Sequence, residues 1–131
     1  MAFERFEAEK MRRLGEPAVS IFKRGGFGFN RTFCLRYLDE HDHIQLFYDR
    51  ENMIIGIKPV PEDAKDAIGV RRISGGKAAT VAARPFFTYF EVPHNKEKAE
   101  SFKVFWNEEE SLIEVRLKSI EDDIPMQDVQ S

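Results

Sequence analysis

A chain of 131 residues, 42% of them apolar, makes one ordinary domain with one sizeable core and is too hydrophobic to be a disordered acidic polymer. No apolar run is long enough to cross a bilayer, and the N-terminus is charged from Glu4 onward, so neither a membrane span nor a secretory signal is expected. The net charge of −3 conceals a separation: Pro17–Leu38 and Ala67–Phe90 hold eight of the 20 basic residues and none of the 23 acidic ones.

The first window carries Lys23, Arg24, Arg31 and Arg36, and the second Arg71, Arg72, Lys77 and Arg84. Two positive segments in an acidic chain point first to an anionic partner. Cys34 is the only cysteine, which excludes an intrachain disulfide and suits a reducing, cytoplasmic setting. Twelve Phe residues supply large burial per residue, as a small barrel needs.

In chain order, Phe3, Phe6, Met11 and Leu14 have rough helical spacing, which predicts a helix over Phe3–Leu14 that caps the barrel or a partner. Ala18–Phe22 reads as a strand, followed by the turn Lys23-Arg24-Gly25-Gly26 and a second short run, Phe27–Asn30. Arg31–Leu38 reads as a short helix with Asn30 as its N-cap and Phe33, Tyr37 and Leu38 on one face. Ile44, Leu46 and Tyr48 alternate with Gln45 and Phe47, Asp49–Asn52 is turn material, and Ile55 and Ile57 resume the alternation. Pro59 and Pro61 are expected to stop that strand.

The same order returns from Ala67 to Lys118. Gly75-Gly76 answers Gly25-Gly26 at an offset of 50, and Arg84-Pro85-Phe86 answers Arg31-Thr32-Phe33 at 53. Phe102, Val104, Phe105, Trp106 and Asn107 answer Ile44, Leu46, Phe47, Tyr48 and Asp49 at a constant 58, as do Ile113 and Val115 for Ile55 and Ile57. The jump falls in Pro93–Ser101, a polar insertion of the kind loops tolerate. Each unit is strand, glycine turn, strand, helix, hairpin, and two units packed about a pseudo-two-fold axis would close a barrel. The predicted organisation is one barrel domain over 1–118, with an N-terminal helix (1–16), repeat one (17–61) and repeat two (67–118), and an acidic flexible tail over 119–131.

Other motifs are weaker. Gly26-Phe27-Gly28 lacks the third glycine of a dinucleotide fingerprint, and Ser74-Gly75-Gly76-Lys77-Ala78 lacks the Ser or Thr of a P-loop. His41-Asp42-His43 reads as a solvated loop and not a metal site. Glu108-Glu109-Glu110 and Glu121-Asp122-Asp123 read as a solvated turn and tail, and Cys34 as a small core residue. No cofactor and no metal are expected, and an enzyme ranks below a binding protein.

The stretch Ile21–Arg31, with Ile44–Tyr48 and Ile54–Pro59, resembles the swapped-hairpin barrel of the AbrB, MazE and MraZ families, with both units in one chain as in MraZ. Where those families carry Arg or Lys after the turn glycine and Pro before the helix, this chain has Phe27 and Asn30 in unit one, and Lys77 and Pro85 in unit two. The resemblance implies a mainly β fold, a pseudo-two-fold AbrB-like cradle-loop barrel of two fused ββαββ repeats. It also implies a non-enzymatic DNA-binding transcriptional regulator or antitoxin-type protein. The two glycine-turn edges would lie together on duplex backbone. Its contacts would come from Lys23, Arg24, Arg31, Arg36, Arg71, Arg72, Lys77 and Arg84, with Gly25, Gly26, Gly75 and Gly76 forming backbone anion turns. Duplex DNA is the expected partner. A protein partner through the N-terminal helix or acidic tail, and a second copy of the chain, stay open. The competing reading is a barrel that binds a protein or a small anion and has no nucleic-acid role.

Overall fold

The computed structural model describes Phe3 and residues 16–117; the predicted N-terminal helix and the acidic tail lie outside the described residues. Repeat one forms β1 (Ala18–Phe22), β2 (Gly26–Phe29), α1 (Arg31–Tyr37), β3 (His43–Asp49) and β4 (Ile54–Val60). Repeat two forms β5 (Ile68–Gly69), β6 (Arg71–Ile73), a 3-10 turn (Ser74–Gly76), β7 (Ala78–Ala82), α2 (Arg84–Phe90), β8 (Glu100–Asn107) and β9 (Leu112–Arg116). Among the described residues no helix is long and apolar enough to cross a membrane.

The strands form one antiparallel sheet in the order β5-β3-β4-β9-β8-β1-β2-β7-β6. Its two outer strands are separated in sequence by Val70 alone, whose N–H donates to the Asp42 carbonyl at 2.8 Å. One stretch of chain therefore pairs first with β3 and then with β7, and the mainly β barrel is nearly closed.

The order is palindromic. The β1–β2 hairpin matches β6–β7, β3–β4 matches β8–β9, and β1–β8 matches β5–β3. The β2–β7 and β4–β9 ladders pair equivalent strands, so a pseudo-dyad runs through both, on opposite walls of the barrel. The offset of 58 survives at atomic detail: Leu46 pairs with Ile57, and Val104 with Val115. Asp49 Oδ1 accepts from the Asn52 N–H at 3.1 Å, and Asn107 Oδ1 accepts from the Glu110 N–H at 3.0 Å. Met53 and Ser111 close the two turns at φ 56° and 55°.

Two expectations need correction. Gly25 (φ 91°) corresponds to Gly76 (φ 89°), an offset of 51 and not 50. Gly26 is instead a buried strand residue: a Cβ there would stand 2.8 Å from the Val81 carbonyl oxygen. Pro59 does not stop β4, which continues to Val60 with Pro59 opposite Ile44. The β9 ladder covers only Ile54–Ile57, so Pro59 lies beyond the stretch that must bond on both sides.

Alternation along β1 and β2 sends Val19, Ile21, Phe27 and Phe29 inward, each at most 2% exposed. Asn30 caps α1 by accepting from the Phe33 N–H at 2.9 Å, and its amide donates to the Glu16 carbonyl at 3.0 Å. That aims Phe33 inward, where its ring stacks on Phe29 at 4.4 Å. Across the dyad the volumes are complementary and unequal: Phe27 faces Val81, and Phe29 faces Ala79. Four phenylalanines there would overpack the centre. The helices redress the balance, because buried Phe87 of α2 stands where α1 has buried Cys34. Each helix packs on the other repeat's hairpin: Tyr37 stacks on Trp106 at 6.2 Å, and its counterpart Phe90 meets Tyr48 at 5.7 Å. The fold is thus two interlocked copies and not two beads.

Candidate nucleic-acid interface

Because β2 and β7 are antiparallel, Gly26 pairs with Ala82 and Phe29 with Ala79. The start of each strand therefore lies beside the end of the other. The two glycine turns do not lie together; they flank opposite ends of the ladder. The Gly25 turn meets the start of α2, whereas a Cβ added at Gly75 or Gly76 would find nothing within 4 Å. At one end the Ala83 N–H donates to the Gly25 carbonyl at 3.2 Å, which prolongs the ladder and brings Arg24 level with Arg84. At the other end the ladder stops with Phe29 opposite Ala79, two residues short of Arg31 and of Lys77. Arg31 and Arg84 are pseudo-symmetry mates at the first positions of α1 and α2.

Gly25 permits the approach to α2. It adopts φ +91°, and a Cβ there would lie 3.2 Å from the Arg84 Cα. Arg24 and Arg31 flank β2 seven residues apart, at most roughly 20–25 Å at a strand rise of about 3.3 Å per residue. The acidic turn Glu108–Glu110 joins β8 to β9, toward the wall that carries the β4–β9 ladder.

The eight predicted contact residues separate into three kinds. Lys23, Arg24, Arg31, Arg71, Lys77 and Arg84 are exposed and, among the described residues, make no ion pair. Arg36 is exposed in the last turn of α1. Arg72 is committed to the fold: its guanidinium donates to the carbonyls of Leu38 and His41 and pairs with Asp42 at 2.9 Å. It ties β6 to the loop after α1 and does not present a free charge. Of the four predicted anion turns, Gly26 is buried in β2, while Gly75 and Gly76 occupy an exposed turn.

The structure adds residues that the charge windows excluded. An open cleft of about 760 Å³ lies beside the Gly25 turn. Lys23, Arg24 and Arg84 line it together with Glu91, His94 and Lys96. The ring nitrogens of His94 lie 3.1 Å from the Val92 carbonyl and 3.2 Å from the Lys23 carbonyl, so the ring bridges the inserted loop to the glycine turn. Its face is held by an edge contact with Phe87 at 4.8 Å. The available signal was the insertion itself, which reading for charge alone passed over.

Cys34 is 1% exposed, and burial raises its thiol pKa, with the Arg72 charge pulling the other way. Its Sγ lies 3.9 Å from the Phe29 carbonyl, deep in the core. Among the described residues no three His, Cys, Asp or Glu side chains converge as a metal site would require. Compared with protein-family models, with curated proteins and with solved structures, the chain matches none of them.

Proposed function

We propose that this chain is a non-enzymatic, AbrB-like DNA-binding regulator that sets its pseudo-dyad on a duplex. The observation that carries the reading is the set of exposed cations flanking the β2–β7 ladder, Arg24 and Arg84 at one end and Arg31 and Lys77 beyond the other. A separation of at most roughly 20–25 Å corresponds to at most about six or seven base pairs at 3.4 Å each. Both ends would rest on phosphates, which fix register without reading sequence. Placing the acidic Glu108–Glu110 turn toward the far wall keeps its repulsion away from the duplex.

The test is fluorescence anisotropy of a labelled duplex over a salt series. Six exposed cations without ion pairs give an upper slope of log K against log salt of about −5, at about 0.9 per phosphate neutralised. Replacing Arg24, Arg31, Lys77 and Arg84 together by Ala should reduce the steepness by about 3.6 on the same scale. No binding at low salt, or a slope indifferent to the fourfold replacement, would remove the reading.

A further inference from the structure

The two ends of the β2–β7 ladder differ, because only the Gly25 turn packs on the start of a helix. At the Gly25 end the loop after α2 is lengthened, and it brings His94 and Lys96 over the turn. The matching loop after α1 is short and carries Asp39, Glu40 and Asp42. The Gly25 end is thus walled and cationic. In the walled cleft, Lys23, Arg24, Arg84 and Lys96 converge against the single carboxylate of Glu91. Among the described residues none of those four cations makes an ion pair or a side-chain hydrogen bond. Like charges gathered in a concave surface repel one another, and a bound anion relieves that repulsion. The His94 ring, set against Phe87 and within 3.2 Å of the Lys23 carbonyl, packs the loop against the turn before anything binds.

We infer that this cleft is a binding site for a diphosphate group, one per chain, formed by Lys23, Arg24, Arg84 and Lys96. A single phosphate would leave part of the charge uncompensated. Two linked phosphates carry enough negative charge to compensate four cations offset by one carboxylate, and the volume of about 760 Å³ lies within the usual range of small-ligand pockets, about 300–1,000 Å³. The group is either free polyphosphate or the tail of a nucleotide. The site stands independently of the duplex reading, although occupancy would withdraw Arg24 and Arg84 from a duplex at that end.

The experiment is calorimetric titration of the full chain at low ionic strength with inorganic pyrophosphate and, in parallel, ADP. One equivalent of pyrophosphate should bind. The Arg84→Glu, Lys96→Glu double variant should weaken it at least tenfold, whereas Lys77→Glu, beyond the opposite end of the ladder, should change it less than twofold. All three substitutions fall on exposed positions, and a far-ultraviolet melt confirms that each variant is folded. ADP binding more tightly than pyrophosphate identifies a nucleotide as the source, and equal affinity identifies free polyphosphate. No binding by the native chain, or equal weakening by Lys77→Glu, overturns the site. Duplex binding measured on the same proteins separates the two readings: Lys96→Glu alone should impair pyrophosphate and leave the salt slope on DNA almost unchanged.

Discussion

Arg71 and Arg72 are neighbours of identical chemistry, and the barrel gives them opposite duties. Arg72 is the perturbation with a calculable cost. Its ion pair with Asp42 involves side chains 30% and 67% exposed, so water screens it and it contributes at most about 1 kcal/mol. The guanidinium also donates to two backbone carbonyls, of Leu38 and of His41. Hydrogen bonds from a charged donor are worth about 1.5–3 kcal/mol each, and water recovers part of that at a partly exposed side chain. Arg72→Ala should therefore destabilise by about 2–3 kcal/mol, or roughly 7–11 °C in Tm for a domain near this size. Arg71→Ala, at an exposed position, should stay within about 0.5 kcal/mol. Urea unfolding followed through Trp106, the only tryptophan, measures both. On a duplex the effects should reverse, with Arg71→Ala reducing the salt slope by about 0.9 and Arg72→Ala leaving the folded protein's slope unchanged. Equal stabilities of the two variants would refute the division of roles. It also follows that a test of the second basic window should reverse Arg71 and Lys77 and leave Arg72 in place.

Phe29→Ala should cost about 3–5 kcal/mol by chemical denaturation, and Ala79→Phe added to it should recover at least about 1 kcal/mol, because the two residues face each other across the dyad; strict additivity would contradict the volume argument. Gly25→Ala should destabilise by about 1–2 kcal/mol in calorimetry, since it forces a positive φ and crowds Arg84. Cys34 should react with a thiol reagent only as fast as the protein opens, because it is 1% exposed and its thiolate is disfavoured by burial; prompt labelling of the native protein would contradict its placement. The Asp49 pKa is lowered, first by the side-chain hydrogen bond from Asn52. A lowered folded pKa means that the turn's stabilisation is present at neutral pH and is lost as pH falls through that value. Nuclear magnetic resonance should find the Asn52 amide titrating with Asp49 below the ordinary carboxylate range, and Asp49→Asn should abolish that step.

Local patterns settled the elements. Period-two alternation in Ile44–Tyr48, the Asn30 cap and the Pro85 helix start each act within one turn or one strand, so single residues suffice to read them. The duplication was legible too, because a hairpin's register and turn geometry are local, and the offset of 58 survives in both. What a linear reading could not supply was where distant segments meet. Charge windows along the chain suggested that the glycine turns join, whereas antiparallel pairing of β2 with β7 sends them to opposite ends of a ladder. The same windows, defined by the absence of acids, excluded His94 and Lys96, which only folding carries to the Gly25 turn. Arg72 looked as available as Arg71 until the loop after α1 folded over it. Short-range sterics and capping are written residue by residue, but a site made from three segments exists only once the strands between them have paired.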